Sequence, residues 1–429
     1  MSDESASDSQ DSGWESEEES KPNTKSVTWR SYALVLSGTL VYTLLMFSWF
    51  SLPAYLPTII DEVGLSGTEA GILAGAVPLT YIPLALFSGL AVDRIGPGIS
   101  LSFALVLIGA GQAVRSIAPD FLSLLVTTLV LGVGATLVTF GLPKLVSVLF
   151  PPEQTGFPSS LYLVGASAGT AAAFGIGRPL IGPALGGWRP LFFWSGIVTI
   201  VYAICWLVIV NRSRLASTGG TATLDPPALV ADLKTVLTHR DLRLVVVIGV
   251  TYLLIIHGLQ GWLPTILESR GLSAARAGQT TTLLVGANVV GILTIPGLAD
   301  RFGARRVAIV GSGGVAGMGV AAIIAGGTTP LVVVGIVAAG IGVGGLSPMV
   351  RAIPPALSGI GARLTGTAVG LVFAVGEIGG FFGPFLIGLL HDLTGSFVPG
   401  LGILAFSGVA AVFAGFRLRT VGSADESTE

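Results

Sequence analysis

Apolar runs of about twenty residues recur along this chain, each long enough to cross a ~30 Å hydrocarbon core as a helix. They fall near 31–59, 69–91, 98–115, 120–143, 157–182 and 190–210. After a polar stretch at 211–242 they resume near 243–267, 276–298, 305–326, 330–352, 363–390 and 397–416. The pattern predicts an all-α, polytopic membrane protein with twelve transmembrane helices in two pseudo-symmetric bundles of six.

The two sets of spans share sequence. Asp93-Arg94-Ile95-Gly96, after the second span, returns as Asp300-Arg301-Phe302-Gly303 after the eighth, 207 residues on. At the same offset Leu56-Pro57-Thr58-Ile59 returns as Leu263-Pro264-Thr265-Ile266, and Gly64-Leu65-Ser66 as Gly271-Leu272-Ser273. A chain rich in Gly, Ala and Leu matches itself by chance at those residues, but not at Pro, Asp and Arg together. The chain reads as two copies of one unit. Its parts are a tail at 1–29, a bundle at 30–211, a linker at 212–242, a second bundle at 243–418 and a short tail at 419–429.

Composition supports a lipid-solvated chain. Hydrophobic residues make up 52% and charged residues 11%, against roughly 25% charged in soluble proteins. The 61 glycines fit close helix contacts, with small-residue spacing at Gly71/Gly75 and Gly165/Gly169. The one cysteine, Cys205, excludes an intrachain disulfide.

Charge is segregated. The first tail is Ser-rich and acidic and reads as a disordered segment; the stretch Asp425–Glu429 is a short acidic tail. Twelve spans put both termini on one side. That side carries 17 of the 22 Lys and Arg, and only Arg115, Arg178, Arg189, Arg270 and Arg276 fall on the other. The asymmetry places both termini in the cytoplasm of a cell whose plasma membrane the chain spans many times. Within the linker, Ala228-Leu229, Asp232-Leu233 and Val236-Leu237 put apolar residues on one face of a surface helix.

The doubled G-x-x-x-D-R-x-G-type loop, set between six-helix halves, resembles the major facilitator superfamily. The resemblance implies gating loops at Asp93, Arg94, Gly96, Asp300, Arg301 and Gly303. It extends to Gly182-Pro183 with Gly186-Gly187 at the end of the fifth span, similar to a Gly-Pro signature of antiporters, although Arg178 stands where that signature has Gly. A related Gly383-Pro384 occurs in the eleventh span. Gly141–Lys144, Phe150–Pro152, Gly186–Arg189 and Gly376–Gly380 look most like nitrate/nitrite and cyanate-type porters. Those porters carry arginines inside the second and eighth spans; here residues 69–91 and 277–298 contain none.

An ionisable group at membrane depth costs a few kcal/mol, so it is a functional candidate by default. Glu377 is the only carboxylate in the middle of a span. It is a candidate for proton coupling or substrate contact; the alternative is a buried hydrogen-bond donor. His257, with Gln260 one turn later, lies in the seventh span, which the resemblance places on the central cavity. His257 is also a candidate partner for Glu377, against the alternative of a packing histidine. Asn288 would hydrogen-bond substrate or join two helices. Tyr42, Trp49, Thr136 and Thr139 are cavity candidates by the same resemblance.

Lys144 and Arg351, again 207 apart, fall at span ends, where anchoring explains them without a ligand. Arg115, Arg178 and Arg189 read as anchors on the other side, with attraction of an anion as the alternative. By the resemblance Asp93 should face the start of the eleventh helix, near 363–367, as a cytoplasmic lock.

No phosphate-binding G-x-x-x-x-G-K-[ST] run occurs, so transport would be secondary rather than ATP-driven. The expected protein is no enzyme but a symporter working by alternating access on a small anion or organic acid, with protons. The alternative is an exporter of hydrophobic compounds; outside transport, a polytopic sensor. Expected partners are substrate, protons and lipid, with no nucleic acid, metal or cofactor, and the working unit is a monomer.

Overall fold

The computed structural model describes residues 27–213, 234–236, 238–357, 360 and 362–418. Both tails and most of the expected surface helix at 228–237 lie outside the described residues. Twelve helices are long and apolar enough to span a membrane. They are α1 (Trp29–Val63), α2 (Gly67–Ile95), α3 (Pro97–Arg115), α4 (Phe121–Leu149), α5 (Gly156–Leu185) and α6 (Trp188–Arg212). The second half gives α7 (Arg240–Ser269), α8 (Ala274–Arg301), α9 (Arg305–Gly326), α10 (Leu331–Ala352), α11 (Ala362–Thr394) and α12 (Val398–Arg417). Helices suit such a chain because each satisfies its own backbone polar groups where no water is present. Large apolar side chains, among them Phe103, Leu293 and Phe406, face outward from the bundle toward lipid.

Each crossing reverses direction, so Trp29 and Arg417 share one face of the bundle, here called the terminal face. The other is the far face. Asp93 and Asp300, near the ends of α2 and α8, both lie at the terminal face.

The repeated sequence has a conformational cause. Gly64 ends α1 with φ 73°, and Gly271 follows α7 with φ 91°, a region open to glycine and strained for other residues. Two residues on, Ser66 accepts the Glu69 amide at 3.1 Å while its own amide donates to Glu69 at 2.9 Å, capping α2. Its copy Ser273 caps α8. Gly96 (φ 83°) and Gly303 (φ 59°) make the corresponding bends after Asp-Arg.

Within the first half α3 packs on α4 and α6, α1 on α5, and α2 on α4; in the second, α9 packs on α10 and α12, α7 on α11, and α8 on α10. The halves meet along α2–α11, α5–α8 and α1–α7. The small-residue spacing is used as predicted. Gly165 and Gly169 lie against the carbonyls of Thr39 and Thr43. Gly67, Gly71 and Gly75 form a stripe on α2 against α11, where a Cβ at Gly71 would stand 2.6 Å from the Pro384 oxygen.

In α5, residues 173–181 widen into a π-helical stretch. Pro179, in this stretch, has no amide proton, and a proline ring crowds the carbonyl four residues before it, which opens the turn. The Tyr55 hydroxyl donates to the loosened Gly177 and Arg178 carbonyls at 3.3 and 3.4 Å.

Several basic groups expected as anchors do other work. Arg115 is wholly buried, donating from Nη1 to the Gln112 side chain (3.0 Å) and the Ser48 carbonyl (3.3 Å) inside the first bundle. Arg189 donates to the Ser116 and Ala118 carbonyls, closing the end of α3.

Candidate functional site

A cavity of about 510 Å3 lies between the halves, within the ~300–1,000 Å3 of small-molecule sites. α1, α2, α4 and α5 line it from one side, and α7, α8, α10 and α11 from the other. Of the residues singled out in the sequence, Tyr42, Trp49, Thr139, His257, Gln260, Asn288 and Glu377 all line it. Thr136 does not. It is fully buried between α4 and α2, its hydroxyl 2.7 Å from that of Ser88. Three residues before Thr139 on the same helix, it points away from the lumen into a helix contact.

His257 sits over Trp49, with ring centroids 5.4 Å apart. It does not pair with Glu377: among the described residues the ion pairs are Asp93–Lys144, Arg178–Glu268 and Asp300–Arg305. Asn288 reaches the Gly340 carbonyl at 3.5 Å, a long contact that joins α8 to α10 while the residue still faces the lumen. Glu377 is buried, and its Oε2 has no hydrogen-bond partner.

Arg351 is the functional candidate that the sequence pattern missed. It stands in the last turn of α10, and its guanidinium lies 4.8 Å from the centroid of Phe373 on α11. The side chain lines the cavity rather than anchoring in an interface. Tyr42, Tyr162, Tyr252 and Glu377 line the same cavity. The copy of Arg351, Lys144, instead pairs with Asp93 at 2.7 Å. The available signal was the pairing of offsets: once Asp93 claims Lys144, Arg351 has no such partner, because Asp300 pairs with Arg305 at 2.8 Å.

The loop copies differ for a local reason. The second carries Arg305 close to Asp300, whereas the first has Pro97-Gly98 after Gly96 and its aspartate turns to α4. Among the described residues Asp93 pairs with Lys144; its expected contact near 363–367 falls where the side chains of residues 363, 365 and 366 lie outside the described residues.

The halves are tied together at the far face. Asp392, near the end of α11, accepts the Gly67 and Thr68 amides at 2.7 Å each and the Thr68 hydroxyl at 2.6 Å. A carboxylate is well placed there, on unpaired N–H groups at a helix start. Arg178 crosses from α5 to α7, donating to Glu268 at 2.7 Å and to Thr58 at 3.2 Å. At the terminal face the ion pairs among the described residues stay within one half. The lining there includes Pro143, Leu163, Arg351 and Val369, from the terminal ends of four helices. The cavity is closed toward the far face and opens toward the terminal face.

A fold with a midplane cavity between repeated six-helix halves has known counterparts. A bacterial homologue of the human lysosomal transporter Spinster, solved in an inward-facing, unoccupied conformation, superposes with TM-score 0.77 at 17% identity, over 92% of this chain and 98% of that one. In sequence the chain is similar to the transporter YycB of Bacillus subtilis, 26% identical over 78% of this chain and 80% of that one. It is equally similar to the 3-(3-hydroxy-phenyl)propionate transporter of Escherichia coli K12, 26% identical over 84% of this chain and 86% of that one. The family model of the Major Facilitator Superfamily matches residues 38–384, and the chain belongs to that superfamily as a multi-pass membrane transporter rather than an enzyme.

Proposed function

We propose that this transporter carries a small organic acid together with protons by alternating access, acting as a monomer in the plasma membrane with its terminal face in the cytoplasm. One observation carries the reading: among the described residues lining the cavity only Arg351 and Glu377 carry formal charge, and they do not pair with each other. The excess of Lys and Arg at the terminal face supports the orientation, so the conformation described is inward-open. The Escherichia coli relative, named for an organic acid, supports the substrate class. Nitrate is a poorer fit, because the lining residues of α2 and α8 include no arginine.

The coupling follows from charge. An ionised Glu377 offsets the field of Arg351; protonating it leaves Arg351 as the one unopposed charge facing an incoming anion. Proton and anion then favour each other's binding, which is symport. The groups facing Glu377 from neighbouring helices are Arg351, Tyr42, Tyr81 and Tyr252, with His257 across the same cavity. The two halves would rock about the cavity.

Proteoliposome uptake tests this. With the outside acidified, a labelled organic acid that crosses lipid poorly, such as hippurate or gluconate, should accumulate above protein-free vesicles and leak away with a protonophore. Movement of lipophilic cations and of no organic acid would overturn the reading and support an exporter of hydrophobic compounds.

The Asp93 loop supplies a second test. In the conformation described Asp93 is held by Lys144; with the terminal face closed it would cap α11. Lys144→Gln should release Asp93 and shift the population toward the closed terminal face, whereas Asp93→Asn loses the Lys144 pair in one state and the α11 cap in the other and should shift it less. Surface pairs contribute up to ~1 kcal/mol, so each shift should be up to about fivefold. Alkylation of a cysteine introduced at the cavity mouth reads both, and equal rates in wild type and both variants would remove the loop from the gating.

A further inference from the structure

The walls of the cavity differ in kind. The first half contributes no charge but six aromatic rings: Tyr42, Trp49, Phe50, Tyr81, Phe140 and Tyr162. The second contributes both charges and only two such rings, Tyr252 and Phe373. The aromatic wall is organised rather than merely apolar. Trp49 stacks on Phe50 at 5.2 Å with an interplanar angle of 5°, and Tyr81 lies 6.4 Å away at 31°. His257 reaches across from α7 to Trp49 at a similar tilt. The Tyr81 hydroxyl is engaged by Thr139 at 2.8 Å, which fixes the ring. Offset and tilted arrangements of this kind are how aromatic faces prefer to meet a further ring.

Opposite them, Arg351 is exposed to the cavity and, within 4 Å, pairs with no carboxylate among the described residues. A guanidinium presents a planar fork of donors that matches a carboxylate. A second carboxylate on the ligand would find no second cation among the described lining residues and would meet Glu377.

We propose that the cavity takes an aromatic monocarboxylate, with its carboxylate on Arg351 of the second half and its ring against Trp49 and Tyr81 of the first. This rests on the organic-acid reading above and narrows it. It also gives the substrate a mechanical part: a ligand held at both ends spans the two halves, so its binding favours closure of the terminal face around it. A saturated ring has the same bulk but no π face, and an amide has the same shape but no charge. Those two contrasts separate the two contacts.

Calorimetric titration of the purified transporter in nanodiscs with phenylacetate, cyclohexylacetate and phenylacetamide provides the test. Phenylacetate should bind about three- to tenfold more tightly than cyclohexylacetate, the size of an aromatic contact. It should bind at least about tenfold more tightly than phenylacetamide, the size of a charged hydrogen bond. Arg351→Gln should bring the acid down to the level of the amide, and Trp49→Leu should bring the aromatic acid down to the saturated one. Each variant keeps one of the two preferences, which shows that it is folded. Equal binding of phenylacetate and cyclohexylacetate, both tighter than the amide, would overturn the aromatic assignment and leave the organic-acid reading standing. Equal binding of acid and amide, or binding of none of the three, would overturn both.

Discussion

Replacing Glu377 by Gln should abolish proton-driven accumulation while leaving exchange of substrate for substrate intact. The carboxylate is buried near the middle of α11, with one oxygen unpartnered and no ion pair to any described residue. A charge so placed is relieved by taking up a proton. Gln is close in shape and holds the neutral state permanently. The variant should therefore bind anion at either face and exchange it, but it has no proton to release. For one coupled proton, a one-unit pH difference supports accumulation of about tenfold in the wild type. The variant should equilibrate and go no further. If Glu377 were only a hydrogen-bond donor, Gln would donate as well and both activities would persist. Unchanged pH-driven uptake in vesicles that also show normal exchange would take Glu377 out of the mechanism.

Breaking the Arg178–Glu268 pair should hold the far face open. Arg178 is buried and Glu268 mostly so, their side chains 3% and 21% exposed. The bond joins α5 of one half to α7 of the other, so its loss falls on the closed far face rather than on either bundle alone. Removing one partner of a buried pair costs on the order of 3 kcal/mol, because the other charge is left without compensation. That corresponds to a population shift of roughly a hundredfold. Glu268→Gln should therefore move the protein from a cavity open at the terminal face to one open at the far face. Arg178 also touches Thr58 and Tyr55 within its own half, so the control is the exchanged pair, Arg178→Glu with Glu268→Arg, which should recover part of the closure. An exchanged pair no better than either single variant would mean that the latch is not electrostatic.

The twelve helices were legible because lipid imposes one strong rule, about twenty apolar residues per crossing, and each expected span lies within a few residues of an observed helix. The observed helices run longer, as in α1 (Trp29–Val63) and α11 (Ala362–Thr394), because hydropathy marks the membrane thickness and not where the backbone stops coiling. The repeat was legible because its glycines hold left-handed turns and its serines cap helices. Side-chain direction was not. Thr136 and Thr139 lie almost one turn apart on α4, yet one meets Ser88 and the other faces the lumen. Arg351 sits at a helix end like any interfacial anchor, and only its place in the cavity lining, over Phe373 of α11, tells it from one. Arg178, in place of the glycine of the antiporter signature, makes sense only beside Glu268, 90 residues away in the other half.

The central claim is that one cavity opens alternately to the two faces, and paired spin labels at both ends of the molecule test it most directly. With the exposed Cys205 replaced by Ser, one sample would carry labels at the exposed Ile117 and Thr328 at the far face, and another at Gln154 and Phe302 at the terminal face. Titrating each sample from alkaline to acidic pH in the presence of phenylacetate should lengthen the far-face distance and shorten the terminal-face distance over the same range. Distances that lengthen together, or a terminal face that stays open while the far face opens, would contradict alternating access.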